Sequence, residues 1–199
     1  MNQNSGPDHS IKLLVLGDLS VGKTSFIYRF TEDKFDEEQI PTTGLDLKTA
    51  DIILNNKKIR IQIWDTAGQE KFNSITKNLI LRVQGIILLF DLTNKESFEN
   101  LNSWIKIIRD YCGNKMQILI LGNKKDLEEQ IVINEEDINS FSKSVKIKIK
   151  KTSCKNGENI KEAVDMICKH IITSSKEKND ISFSLESSSL MVKNKKKCC

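Results

Sequence analysis

Gly17-Asp18-Leu19-Ser20-Val21-Gly22-Lys23-Thr24 is the stretch from which the rest of this chain can be read. It fits the pattern GxxxxGK[ST], follows the apolar run Ile11 to Leu16, and opens an amphipathic segment from Lys23 to Phe30. A short apolar run that stops at glycine reads as a buried strand, and the segment after it as a helix. The glycines let the backbone between them curl so that successive N–H groups point inward, making a cradle for phosphate oxygens. The positive end of the helix dipole reinforces it. In that cradle Lys23 is placed to neutralise β and γ phosphates, and the Thr24 hydroxyl to ligate Mg²⁺. Asp18, Leu19, Ser20, Val21, Gly22, Lys23, Thr24 and Ser25 are therefore the expected phosphate-binding residues. The motif identifies a nucleoside triphosphate and leaves the base open.

Outward from this loop, short apolar runs alternate with longer amphipathic ones. Ile52 to Leu54 and Ile59 to Trp64 predict a hairpin turning at Asn55-Asn56. Ile86 to Leu92, Ile118 to Leu121 and Val145 to Ile149 predict three more strands. The last alternates Val and Ile with Lys, as an edge strand would. Helices are expected over Lys23 to Phe30, Phe98 to Tyr111, Glu135 to Ser142 and Ile160 to Ile172. This alternation implies an α/β fold: a six-stranded, mostly parallel sheet with helices on both faces and its chemistry on loops beyond the C-terminal strand ends. Residues 1–10 read as a polar extension, 11–173 as the domain, and 174–199 as a flexible tail of Ser, Lys, Asn and Glu.

The bulk properties narrow the function classes. A chain of 199 residues with 38% hydrophobic content can bury one ordinary core. No apolar run approaches the ~20 residues that span a bilayer. The polar start lacks the apolar stretch of a signal peptide, and Asn2 excludes N-myristoylation, so a cytosolic chain is expected. Net charge is +4, but from Ser174 onward six lysines face three acids, which leaves only about +1 for the body. A near-neutral body argues against nucleic acid as partner, and a basic tail favours a membrane surface. Cys112, Cys154, Cys168, Cys198 and Cys199 form no CxxC pair, and a cytosolic chain keeps them reduced. His9 and His170 stand alone without ligand-spaced partners, and Trp104 reads as the packing face of a helix.

Two later strand ends select the base. The first is Gly122-Asn123-Lys124-Lys125-Asp126. A carboxylate at Asp126 can accept from both the N1 hydrogen and the 2-amino group of guanine; adenine offers no such pair. Asn123 supplies an amide for N7 and for tying loops together, and the Lys124 stem can lie along the base. The second is Thr152-Ser153-Cys154-Lys155, which resembles the Ser-Ala-Lys loop of small GTPases, whose backbone N–H meets guanine O6. Cys154 replaces the alanine there.

With these loops in this order, Ile11 to Thr173 resembles the Ras-like G domain of the Ras superfamily, a P-loop NTPase fold. The resemblance implies that Ile40-Pro41-Thr42-Thr43-Gly44 is a first switch, with Thr42 closing over Mg²⁺ and the γ-phosphate and Phe35 packed edge-on to guanine. In Trp64-Asp65-Thr66-Ala67-Gly68-Gln69-Glu70 it implies that Asp65 holds Mg²⁺ through water and the Gly68 N–H senses the γ-phosphate. It implies that Gln69 is the catalytic residue, whose neutral amide would accept from the attacking water while donating to phosphate. Hydrolysis should be slow alone, on the order of 10⁻⁴ s⁻¹, and roughly 10³- to 10⁵-fold faster with an arginine finger. Loss of the γ-phosphate should relax both loops and release partners that read them. Leu19 departs from the small or polar residue usual at its position, and its branched side chain would crowd that arginine.

Thr43-Gly44-Leu45-Asp46-Leu47, Ile61-Gln62-Ile63-Trp64-Asp65, Gln69-Glu70-Lys71-Phe72 and Asn73-Ser74-Ile75-Thr76 resemble Rab proteins rather than Ras or Rho. Leu79-Ile80-Leu81-Arg82-Val83 stands where most Rabs have Tyr-Tyr-Arg-Gly-Ala. The end, Lys193-Asn194-Lys195-Lys196-Lys197-Cys198-Cys199, resembles the Rab double geranylgeranylation signal. Two lipid chains, or one with a polybasic patch, are what stable anchoring takes. The resemblance thus implies a monomeric GTP/GDP switch in vesicle traffic, cycling between cytosol and the cytoplasmic face of intracellular membranes. Its partners would be an exchange factor, a GTPase-activating protein, a GDP-dissociation inhibitor, a Rab escort protein and effectors. A GTP-binding scaffold that scarcely hydrolyses, and a small-molecule P-loop kinase, are the competing readings.

Overall fold

A computed structural model describes residues 6–38, 42, 44–66 and 74–175. Gly68, Gln69, Cys198 and Cys199, four of the expected functional residues, lie outside the described residues. The strands are β1 (His9–Gly17), β2 (Asp46–Leu54), β3 (Lys57–Asp65), β4 (Gly85–Asp91), β5 (Gln117–Asn123) and β6 (Ile149–Lys151). They form one sheet of order β2-β3-β1-β4-β5-β6, parallel throughout except for the β2–β3 hairpin. The helices are α1 (Lys23–Glu32), α2 (Ser74–Ile80), α3 (Lys95–Glu99), α4 (Leu101–Cys112), α5 (Glu135–Val145) and α6 over 160–175.

The central strands are apolar over residues 13–16, 86–90 and 118–121 because both their faces are covered there. On one face Leu13, Val15, Ile87, Leu89 and Leu121 meet Phe26 and Ile27 of α1 and Val164 and Ile167 of α6. On the other, Leu14, Leu16, Leu88, Phe90 and Ile120 meet Trp104, Ile105 and Ile108 of α4 and Ile138 of α5. Each such side chain, fully buried, contributes about 1.5–3 kcal/mol relative to exposure. The β2–β3 turn falls on Asn55 and Asn56, with φ of 51° and 59°. Two positive φ values in a two-residue loop suit the right-handed strand twist, and Asn tolerates that region. The hairpin read from the sequence is therefore the one formed.

β2 runs from Asp46 where the sequence predicts only Ile52 to Leu54, β1 begins at His9 inside the expected polar extension, and three further elements differ from expectation. Val145 ends α5 instead of opening a strand, and β6 begins only at Ile149. Ile138 and Val145 are one face of a helix, buried in the α4 layer, and Lys146 stops that helix in the left-handed region at φ 58°. Alternation of Val and Ile with Lys fits both a helix end and a strand, so it did not separate them. The edge position of β6 is as expected. The helix expected over Phe98 to Tyr111 is two, α3 and α4, meeting at Asn100. Helix α2, seven residues long, was not foreseen.

The seat of α6 on β4 is tight. A Cβ on Gly85 would stand 2.8 Å from Ile171 Cδ1, 3.0 Å from Ile167 Cδ1 and 3.2 Å from Leu13 Cδ2. Gly85→Ala should therefore destabilise the domain by about 1–3 kcal/mol through overpacking, read as a lower urea midpoint; an unchanged midpoint would show that α6 yields freely.

Candidate functional site

A cavity of about 370 Å³ opens beyond the C-terminal ends of the central strands. Its phosphate-type end is built on two glycines. Gly17, with φ +142°, ends β1 where a Cβ would run into the Leu89 carbonyl oxygen. Gly22, with φ +95°, starts α1 where a Cβ would run into the Asn123 amide. Only glycine meets both demands, conformational and steric. Leu19, Ser20, Gly22, Lys23, Thr24 and Ser25 line the cavity. Lys23 is buried, its Nζ donating to Gly17 O (3.1 Å) and Asp18 O (2.8 Å). Val21 is buried behind the loop. Leu19 stands at the rim, 49% exposed.

Asp18 sends its carboxylate away from the cradle. It accepts from Asn100 Nδ2 (2.6 Å) and Trp104 Nε1 (2.8 Å), so α4 grips the loop from outside. Trp104 is thus a packing residue, as expected, and also a donor. The signal in the sequence was a carboxylate inside a loop that gathers donors for anions; such a charge has to be satisfied elsewhere.

At the next point along the wall, three elements bring oxygens together. Thr24 Oγ1 of α1 donates to Asp65 Oδ2 at the end of β3 (2.7 Å) and lies 2.6 Å from Thr42 Oγ1. Thr42 Oγ1 is 3.4 Å from the same carboxylate oxygen. These are the three residues expected at the metal. Asp65 is buried, and its Oδ1 has no hydrogen-bond partner among the described residues. Burial holds its carboxyl above the usual carboxylate range, against the Thr24 hydrogen bond and the charge of Lys23. A buried carboxylate with an unpartnered oxygen beside two hydroxyls is a hard oxygen donor set, and it fits Mg²⁺.

The base end lies at the ends of β5 and β6. Asn123 is buried, with Nδ2 donating to Val21 O (3.0 Å) and Oδ1 accepting from Cys154 N (3.2 Å) and Cys154 Sγ (3.2 Å). The amide ties the two ends of the cavity together. The Cys154 N–H, expected at guanine O6, is directed at that amide oxygen. Burial pushes the Cys154 thiol up to about 12, so it remains a donor. Asp126 lines the cavity, and its Oδ1 accepts from Ser153 Oγ (2.5 Å), which sets the carboxylate's angle. Lys124, at φ 65°, is held by Asp91 Oδ2 (2.6 Å) at the end of β4. Asp91 in turn accepts from the Thr93 N–H and hydroxyl. Phe35 and Lys155 complete this wall. Asp91 and Asn100 were not legible as site residues, because no local pattern marks them.

The comparisons agree with this geometry. A profile of the Ras family matches residues 12–173. Ras-related protein Rab-8B of Homo sapiens is 40% identical over 166 residues, 83% of this chain and 80% of that protein. Ras-related protein Rab-13 of Rattus norvegicus is 39% identical over 165 residues, 83% of this chain and 81% of its own. Ras-related protein Rab-8 of Diplobatis ommata is 39% identical over 166 residues, 83% and 79% of the two chains. A match across the whole domain, on a sheet with this strand order and loops, fixes the lineage: the chain belongs to the Ras family and is a Rab-type small GTPase, a GTP hydrolase of the kind that governs vesicle traffic.

Proposed function

We propose that the cavity holds GTP or GDP with Mg²⁺, phosphates on the loop from Asp18 to Ser25 and guanine against Phe35, Asn123, Lys124, Asp126 and Ser153-Cys154-Lys155. The observation that carries this reading is that Lys23 and Asp126, on distant parts of the chain, line one cavity. Thr24, Thr42 and Asp65 would hold Mg²⁺, which supplies charge neutralisation between β and γ oxygens. Lys23, now folded onto two carbonyls, is the cation that turns to the phosphates. Gln69 orients a water for in-line attack on the γ-phosphorus; the bond to the bridging oxygen breaks, and GDP and phosphate result. Thr42 and Gly68 lose their γ-phosphate contacts at that point, which releases the switch loops. Guanine fits the Asp126 carboxylate, because N1–H and the 2-amino group donate where adenine has no matching pair.

The same reading extends to partners and location. An exchange factor, a GTPase-activating protein, a GDP-dissociation inhibitor, a Rab escort protein and effectors would act on a monomer. Geranylgeranyl chains on Cys198 and Cys199, with four lysines nearby worth roughly 1 kcal/mol each at an anionic surface, would hold it on intracellular membranes. The departure at Leu79-Ile80-Leu81 is smaller at the surface than in sequence. Leu79 and Ile80 are buried in the core and only Leu81 is exposed, so partners meet one leucine there.

Chromatography of nucleotide released from the purified protein should yield GDP or GTP, and competition binding should favour GDP over ADP by roughly 10⁴-fold or more. Preference for adenine nucleotide would overturn the assignment. In single-turnover hydrolysis with an activating protein, Gln69→Leu should lose most of the stimulated rate, while Leu19→Ser should gain rate; indifference of either variant would remove that residue's role. Intact mass of the protein from its own cells should exceed the sequence mass by two isoprenoid chains, and an unmodified mass would refute the anchor.

A further inference from the structure

Arg29 lies on α1 between the buried Phe26 and Phe30, and its guanidinium reaches the base end of the cavity wall. Its Nε donates to Cys154 O (2.7 Å) and its Nη2 to Lys155 O (2.8 Å). Its Nη1 donates to Asp33 O (2.9 Å) and approaches Asp33 Oδ1 (3.3 Å). The side chain is 16% exposed. The bonds to Asp33 are what an arginine in the last turn of a helix ordinarily makes. The bonds to residues 154 and 155, more than a hundred positions away, are not.

The two segments so joined are the walls of the base pocket. One is the stem that leaves α1 at Asp33 and carries Phe35; the other is the loop 153–155. A second link crosses the same gap, Lys155 Nζ to Glu37 Oε1 at 2.6 Å. Phe35 lies between the two links and lines the cavity. The second link is mostly exposed, so it is the weaker fastener. Arg29 is the stronger, because its largely buried planar fork holds the carbonyl oxygens of Asp33, Cys154 and Lys155 at once in a fixed geometry.

We propose that Arg29 is a positioning residue that fastens the stem 33–37 to the base-reading loop 153–155, so that both walls open together, and that this coupling sets the rate of nucleotide release. The inference rests on the proposal that the cavity holds a guanine nucleotide. It also gives an exchange factor an economical route: displacing the stem alone would loosen the base loop, with no need to touch it.

The test uses the full chain loaded with fluorescent GDP, and follows release into excess unlabelled GDP. Losing the paired charge-assisted bonds, Arg29→Gln should release about tenfold faster than the unsubstituted protein. Arg29→Lys should recover only part of the retention, and Glu37→Gln should give a smaller acceleration. Chelating Mg²⁺ should speed all forms while leaving the ratio of Arg29→Gln to unsubstituted protein unchanged, because the defect is at the base end. An acceleration that vanishes on chelation would place the effect at the phosphate end and overturn the proposal. Release at the unsubstituted rate by Arg29→Gln, at an unchanged urea midpoint, would overturn it as well. Should Arg29→Gln fail to fold, Arg29→Lys and Glu37→Gln carry the same test, and unaltered release by both would refute the coupling. An unsubstituted protein that takes up no GDP would instead refute the nucleotide assignment, and this inference with it.

Discussion

The buried amide of Asn123 joins the two ends of the cavity, and the rest of the site depends on it. One side of the amide donates to the phosphate loop at Val21, and the other accepts from Cys154 in the base-reading loop. Gly22 makes the approach possible, since a Cβ there would occupy the amide's place. Neither loop is held in that relation by secondary structure, as they follow strands β1 and β6, which are not neighbours. Removing the amide would leave buried groups on both loops unpaired, at a cost of about 1–3 kcal/mol each. The Asn123 side chain therefore ties the two ends of the cavity directly to each other.

Around this tie stand four aspartates with four different duties. Asp18 is turned to Asn100 and Trp104, Asp65 to Thr24 and Thr42, Asp91 to Lys124, and Asp126 to Ser153. A cavity suited to polyphosphate can tolerate that many carboxylates only where each is engaged or shielded, because like charges near phosphate repel. Asp65 is the one left with a buried, unpartnered oxygen, and it is the one beside the hydroxyls that complete a cation's donor set. The partners of each carboxylate, more than its residue type, separate structural from chemical roles.

The chain's departures from its family's pattern are conservative inside and consequential at the rim. Cys154 keeps the backbone where alanine would and adds a thiol donor to the Asn123 amide. Leu79 and Ile80 are buried in the core cluster that α4 and β4 share. Leu19 alone places new apolar bulk at the mouth of the cavity.

The amino-acid sequence by itself determined the sheet's composition, the β2–β3 turn, the phosphate loop and both base-reading loops. All of these are contiguous, and their residue types announce themselves in short runs: glycine where φ is positive, asparagine in a two-residue turn, apolar stretches for buried strands. Only the tertiary structure decided that Trp104 donates to Asp18, that Asp91 holds Lys124, that Arg29 reaches the carbonyls of 154 and 155, and that Val145 belongs to a helix. Each of these depends on a partner brought near by the order of strands and the seating of helices. A side chain's neighbours along the chain carry no record of what folding will place across from it, so such pairings become visible only when the sheet is assembled.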